Sequence, residues 1–405
     1  MSLQYVQGKP MFTNTDKVPK QYNYLTKNIE TDVVIVGGGV TGSILGYYFS
    51  KHNINTVILE KNRMGYCSTA VTTSLLQYEL DENLNELIGA TTMKDVIKSY
   101  SLGIEALSEI DSFIKEYGNS CDYSVKDTLL YTSKKLEIKE IYEEYRIRCE
   151  NGFDVAFIDE ENNPFSFDIK AGVYCNNGGA QFDPYKYTHQ LLGIACENGL
   201  RVYENTEVLK VNYEDKGVVV ETSYGYNVSG KIIIVATGYN TELFTKRKFG
   251  TKTTTFNIAT KPINDFSGWH NRALIRDNGD PYNYLRTTED NRIIIGGEDI
   301  EFMRDIFNEK AAVEKYNILE QRLKSMFVDI PDIEVEYKYC GAFASTKDNL
   351  GFLGPDPDNS KLWYCLGYGA NGILFAILGG KMLSNLYLGI TNENLRLFKI
   401  DRFHN

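Results

Sequence analysis

Four consecutive apolar residues, Val33, Val34, Ile35 and Val36, run directly into Gly37-Gly38-Gly39-Val40-Thr41-Gly42. No other stretch of this 405-residue chain restricts its fold as strongly. An unbroken apolar run reads as a strand buried on both faces, as in a parallel sheet. Apolar residues at helical spacing follow over 40–52, and 54–60 reads as a second buried strand, so that 33–60 form one βαβ unit. Each glycine of the GxGxxG turn has its own task. Gly37 permits the tight turn, Gly39 lets the backbone approach a pyrophosphate, and Gly42 lets helix and strand pack closely. The pyrophosphate then sits at a helix N-terminus, where free N–H groups and the dipole favour an anion. Glu60 ends the second strand, where an acidic residue binds both ribose hydroxyls and repels a 2′-phosphate. The combination implies a bound dinucleotide.

Length and charge narrow the setting. A chain of this size suggests two domains. Hydrophobic residues make up 42% and charged residues 24%, as in an ordinary globular protein. The net charge of -11 disfavours nucleic acid or an anionic membrane as a partner. Seven scattered cysteines without a CxxC pair argue against a disulfide framework or a zinc site and suit a reducing cytoplasm, the expected compartment. The first ten residues contain no apolar core of a signal peptide. The apolar stretch 372–389 is broken by Gly379, Gly380, Lys381, Ser384 and Asn385, so it reads as a buried helix and not a membrane span.

Further along, 82–149 turn helical and charged. KIIIVATGYN (231–240) is a third strand-like run ending in a Thr-Gly turn. Strands are expected across 282–298, with Asp290-Asn291 marking a hairpin turn. Near the end, Gly367-Tyr368-Gly369-Ala370-Asn371-Gly372 leads from a strand into a closing helix. N–H groups at that helix start suit the pyrimidine edge of a flavin, where negative charge gathers on reduction. The hydroxyl-rich segment GYCSTAVTTSLLQ after Glu60 suits contacts to phosphates and the flavin ring. Both features favour FAD over a nicotinamide dinucleotide. As plain structure, the first is a helix-entry loop and the second a Ser/Thr-rich loop.

Several segments, in order, resemble the D-amino-acid oxidase superfamily of flavoproteins, which includes glycine oxidase, sarcosine oxidases and gamma-glutamylputrescine oxidoreductases. They are TDVVIVGGGVTG with ILEK, GGAQFDPYKYTHQLLGIACENGLRVYENTEV, KIIIVATGYN, YNYLRTTEDNRIIIGGE, STKDNLGFLGP and LGYGANGI. The resemblance implies an α/β fold: a Rossmann-like FAD-binding domain, a parallel sheet with helices, interleaved with a substrate domain on a mixed or antiparallel sheet. The expected division is an N-terminal arm at 1–30 lying on the surface, and a discontinuous FAD-binding domain at 31–80, 150–240 and 335–405. A helical insertion at 81–149 and a substrate domain at 241–334 complete it. The resemblance also implies oxidation of a C–N bond in an amine or amino-acid derivative, with hydride passing to flavin N5 and then to oxygen or another acceptor. Carried over position by position, it assigns FAD contacts to Val36, Gly37, Gly38, Gly39, Val40, Thr41 and Gly42. Glu60, Lys61, Ser68, Thr69, Thr73, Ser74 and Leu75 follow, then Val208, Thr237 and Gly238, and finally Gly369, Ala370, Asn371, Gly372 and Ile373.

Three departures bear on the chemistry. Where amino-acid oxidases of the superfamily carry a carboxylate-binding arginine, the register set by Asp348 puts Phe343, which offers no bidentate donors. Ile294 stands where sarcosine oxidases carry a lysine that assists oxygen. Cys340 falls one residue out of register with their flavin-tethering cysteine, so noncovalent FAD is expected. On the substrate side, Arg286, Tyr284 and Tyr368 are the candidate residues: Arg286 to hold an anionic group at the cavity rim, Tyr368 to stand over the flavin. Each is equally well a structural residue, Arg286 on a strand edge and Tyr368 in the core. The four histidines, His52, His189, His270 and His404, fall in no acid–base constellation. Two alternatives stay open at this point: an FAD-dependent dehydrogenase of a hydroxy acid or polyol phosphate, and a flavin-bound module without turnover of its own.

Overall fold

A computed structural model describes residues 5–15, 19–303 and 309–403; His404 lies outside them. Among the described residues the strands form three sheets. The first has six strands in the order Phe352–Asp356, Asn359–Leu366, Ile232–Val235, Val33–Val36, Thr56–Leu59 and Arg201–Tyr203. Its pairs are parallel except the one between Phe352–Asp356 and Asn359–Leu366. Val33, Val34 and Ile35 are fully buried, as a doubly covered parallel strand requires. Helix Val40–Lys51 packs on this sheet between helices Pro184–Glu197 and Gly372–Tyr387. The last of these is the apolar C-terminal stretch, and its long run of buried side chains makes it a core helix as read from the sequence. No helix of the described residues is long and apolar enough to cross a membrane.

The second sheet has ten strands and is mixed. At its centre, Val335–Ser345, Thr251–Thr260, Ile293–Glu301, Asn283–Thr287 and Leu274–Asp277 pair antiparallel in that order. Leu274–Asp277 then pairs parallel with Ser124–Thr132, which pairs antiparallel with Ala171–Gln181. This is the mixed sheet expected for the substrate side. The pairing runs across the boundaries expected at 150 and 335. It also puts a nine-residue strand inside the segment expected to be helical (81–149). The β-branched and aromatic content of that strand was outweighed in the sequence by the charged helices on either side. A four-stranded sheet, Val208–Glu214, Gly217–Thr222, Asn227–Gly230 and Ile29–Glu30, completes the framework.

The N-terminal arm lies along the surface as expected, most of its described residues exposed or half-buried, but it is fastened down at several points. Strand Val6–Gly8 pairs with Val335–Ser345, and Ile29–Glu30 pairs with Asn227–Gly230. Tyr5, Met11, Phe12 and Leu25 are buried. Their apolar side chains gain more from burial than the arm loses in freedom.

Helix Pro184–Glu197 starts on Asp183, whose carboxylate accepts from Tyr185 N (2.8 Å) and Lys186 N (2.9 Å), with proline at the first helical position. Inside it, His189 is buried against Tyr185 with neither ring nitrogen hydrogen-bonded. Burial pulls its pKa down to about 4. The unfolded chain therefore takes up this proton near pH 6.5 and the folded chain only near 4, so acidification through that window destabilises the fold. His189→Phe removes the titration. Urea unfolding of both proteins at pH 7.5 and pH 4.5 should show the variant losing less stability; parallel losses would refute the assignment.

Candidate functional site

The GxGxxG turn forms where strand Val33–Val36 ends. Gly37 takes φ +111°, a conformation costly for any side chain. A Cβ on Gly42 would stand 1.9 Å from the Gly37 carbonyl oxygen, so helix and turn touch backbone to backbone. Gly39 is the residue before the helix and carries no side-chain cap. Glu60, at the end of the next strand, accepts from Gly38 N through Oε2 (2.7 Å) and from Asn62 N through Oε1 (2.8 Å). Burial pushes its carboxyl pKa up, and the Asn62 and Gly38 N–H groups oppose that rise. Thr69 Oγ1 accepts from Val40 N at 2.9 Å, tying the hydroxyl-rich segment to the helix start.

This turn opens into a cavity of about 530 Å³, within the range of cofactor and small-molecule sites. Val36, Gly37, Gly38, Gly39, Val40 and Thr41 line it, and so do Glu60, Lys61, Ser68, Thr69, Thr73, Ser74 and Leu75. Val208, Thr237, Gly238, Gly369, Ala370, Asn371, Gly372 and Ile373 line it as well. Residues from five separated parts of the chain thus meet around one volume. Gly42 alone of the expected cofactor set is absent from the lining; it supports the turn from behind.

The ten-stranded sheet supplies another wall. Tyr284 lines the cavity and its hydroxyl lies 2.8 Å from Thr255 Oγ1. Asp299 lines it too, accepting from Thr253 Oγ1 at 3.0 Å, and burial raises its pKa. Asp81 bridges the two walls. Its carboxylate accepts from Tyr282 Oη (3.0 Å) and from Ala370 N (2.9 Å), and burial raises its pKa as well. Arg276, from strand Leu274–Asp277, also faces the cavity. Sequence reasoning missed Arg276, Asp81 and Asp299. Nothing local marks Arg276: in the short run ALIRD it follows three apolar residues without alternation.

Two candidates are placed differently from expectation. Arg286 is not on a rim. The residue is 2% exposed; its guanidinium donates to the carbonyls of Thr73, Phe182 and Thr287 and lies over the Phe12 ring. It fastens the Thr73 segment from beneath, because the N-terminal arm covers the face that the sequence leaves open. Tyr368 does not line the cavity; it is buried among Tyr239, Phe249 and Phe352, and its hydroxyl donates to Gly238 O at 3.0 Å. Its neighbour-facing ring is core, and Tyr239 lines the cavity instead. Phe343 does line the cavity, whereas Ile294 is buried in an apolar cluster with Tyr339 and Phe12. Cys340 packs into the core on the other face of its strand, beside Tyr316.

The residues present fit FAD. Gly37, Gly38 and Gly39 line the cavity with backbone alone, an anchored carboxylate stands at Glu60, and a helix N-terminus at Gly372–Tyr387 closes the far end.

Comparison with known proteins agrees. The family model described as FAD dependent oxidoreductase matches residues 32–386. Glycine oxidase of Bacillus subtilis (strain 168) is 23% identical over 386 residues, covering 92% of this chain and 97% of that protein. Gamma-glutamylputrescine oxidoreductase of Escherichia coli (strain K12) is 25% identical over 386 residues, 91% of this chain and 86% of that one. The crystal structure of glycine oxidase from Geobacillus kaustophilus superposes with a TM-score of 0.77 at 20% identity, over 92% of this chain and 98% of the other.

Proposed function

Because the chain belongs to the FAD-dependent oxidoreductase family, we propose that it oxidises the C–N bond of an amine or amino-acid derivative, holding its FAD noncovalently. The observation that carries this reading is the single cavity bounded by the dinucleotide turn on one side and by Tyr284, Thr255 and Asp299 of the ten-stranded sheet on another. A substrate held against that wall faces the residues assigned to the cofactor. Bound FAD would supply the hydride acceptor; loss of a hydride from the substrate carbon, with the nitrogen lone pair completing C=N, would leave an iminium.

In this reading the protein's own residues bind and orient. The N–H groups of Gly39 and Thr41 hold the pyrophosphate, those of Gly37, Gly38 and Val40 being taken by Leu59 O, Glu60 and Thr69, and Glu60 holds the ribose. The N–H groups at 371–373 meet the pyrimidine edge, those of Gly369 and Ala370 being taken by Ala344 O and Asp81, and Tyr284 with Thr255 positions the substrate. No histidine of the described residues lines the cavity. Amine oxidation tolerates that, since the neutral amine needs only correct placement, whereas a hydroxyl group wants a base. Noncovalent binding is supported by Cys340, which points away from the cavity into the core.

The purified protein should be yellow, and acid precipitation should leave the colour in the supernatant. Under argon an amine or amino-acid derivative should bleach the flavin. Bleaching by a hydroxy acid or polyol phosphate and by no amine would overturn the proposal.

A further inference from the structure

Resting on that reading, we infer that Arg276 anchors a carboxylate of the substrate, so that the site takes amines that also carry an acid group. Arg276 is 4% exposed and lines the cavity on strand Leu274–Asp277, directly across from Tyr284 on the neighbouring strand. Its Nη1 donates to the main-chain oxygen of Asp81. Its Nε and Nη2 have no hydrogen-bond partner; burial raises the carboxyl pKa of Asp81 and of Asp277 and its charge opposes that rise, yet among the described residues it forms no ion pair with either.

A buried cation with two idle donors is expensive unless a ligand completes it. Nε–H and Nη2–H are the two parallel donors on one side of the guanidinium fork, the pair that grips a carboxylate through both oxygens. The neighbours do not compete for this role. Tyr282 is engaged by Asp81, Tyr284 by Thr255, and Asp81 itself by Tyr282 and Ala370. Phe343 lines the same cavity with an apolar ring, so carboxylate recognition lies on strand Leu274–Asp277 and not on Val335–Ser345. Asp299 adds a carboxylate with no cation at ion-pair distance among the described residues, making the wall bipolar, as suits a substrate with acid and amine ends.

The test uses the purified FAD-loaded protein and a carboxylate it cannot oxidise. Benzoate, titrated against its neutral isostere benzamide, is followed by perturbation of the flavin's visible spectrum. Benzoate should perturb the wild-type spectrum saturably and benzamide should not at the same concentrations. Arg276→Gln should weaken benzoate about 10- to 100-fold with FAD content unchanged, the loss of a charge-assisted pair. Arg276→Lys keeps the charge without the fork and should fall between. Equal binding of benzoate and benzamide, or wild-type benzoate affinity in either variant, overturns the assignment. If Arg276→Gln does not hold FAD, the lysine variant and the benzamide comparison decide. The amine reading fails by a different result: a flavin that no amine bleaches while benzoate still depends on Arg276.

Discussion

A Gly42→Ala protein should purify colourless. The added Cβ would stand 1.9 Å from the Gly37 carbonyl oxygen, and the next atom it meets is the Gly37 carbonyl carbon at 3.1 Å. Neither is the end of a flexible side chain, so the turn itself must move. Overpacking of this kind costs up to about 3 kcal/mol, roughly a hundredfold in affinity when it falls on the bound state. It falls there because the same carbonyl belongs to the residue that shapes the pyrophosphate turn. The ratio of flavin to protein absorbance after purification reads the loss, and FAD titration of the apoprotein measures it. Gly193→Ala is the control: a Cβ there meets nothing within 4 Å, and that variant should stay yellow. A fully loaded Gly42→Ala protein would show that the turn does not hold the cofactor.

The second large effect concerns stability. Arg148 and Glu144 are completely buried, with Arg148 Nε 2.8 Å and Nη2 2.6 Å from Glu144 Oε1. Glu79, also buried, lies 3.5 Å from Arg148 Nη1. Glu144 in turn accepts from Leu84 N (2.8 Å) and Tyr100 Oη (3.2 Å), so one cluster joins helix Ile138–Glu150, helix Met93–Tyr117 and the segment leading to Asp81. Arg148→Met leaves two buried carboxylates without their cation, at a cost of about 3–5 kcal/mol. Replacing all three charges together (Glu79→Leu, Glu144→Gln, Arg148→Met) should recover most of that loss, since no charge is then left unpaired and the glutamine carbonyl still accepts from Leu84 N or Tyr100 Oη. Thermal or urea unfolding of the single and triple variants checks both statements. A single variant as stable as the wild type would show that the cluster carries no such energy.

The parts of the site that could be read in the sequence are those built from contiguous segments. The turn at 37–42 and Glu60 belong to one βαβ unit, so spacing alone places them together. Tyr284 was within reach because the hairpin turn at Asp290-Asn291 sets the register of its strand. Arg276 and Asp81 were not. They lie far apart in the chain, and a short, half-polar strand carries the arginine to the cavity. Arg286 shows a different limit. It shares a strand face with Tyr284, but Phe12 and the Thr73 segment cover it, and nothing within its own strand indicates that cover. Tyr368 follows a similar rule: next to a glycine loop at the cavity, it turns inward because Phe249 and Phe352 offer an aromatic pocket.

The pairing of Val6–Gly8 with Val335–Ser345 has a consequence for how the protein is made. The partner of the first strand leaves the ribosome more than three hundred residues later, since Val6 pairs with Gly341. Until then the early strand has no place to dock. For the whole of synthesis the chain therefore carries unfinished sheet, a template for pairing with neighbouring chains. Contacts of such long sequence separation also form slowly. Yield in a cell should therefore follow translation speed and chaperone supply more closely than the finished fold's stability.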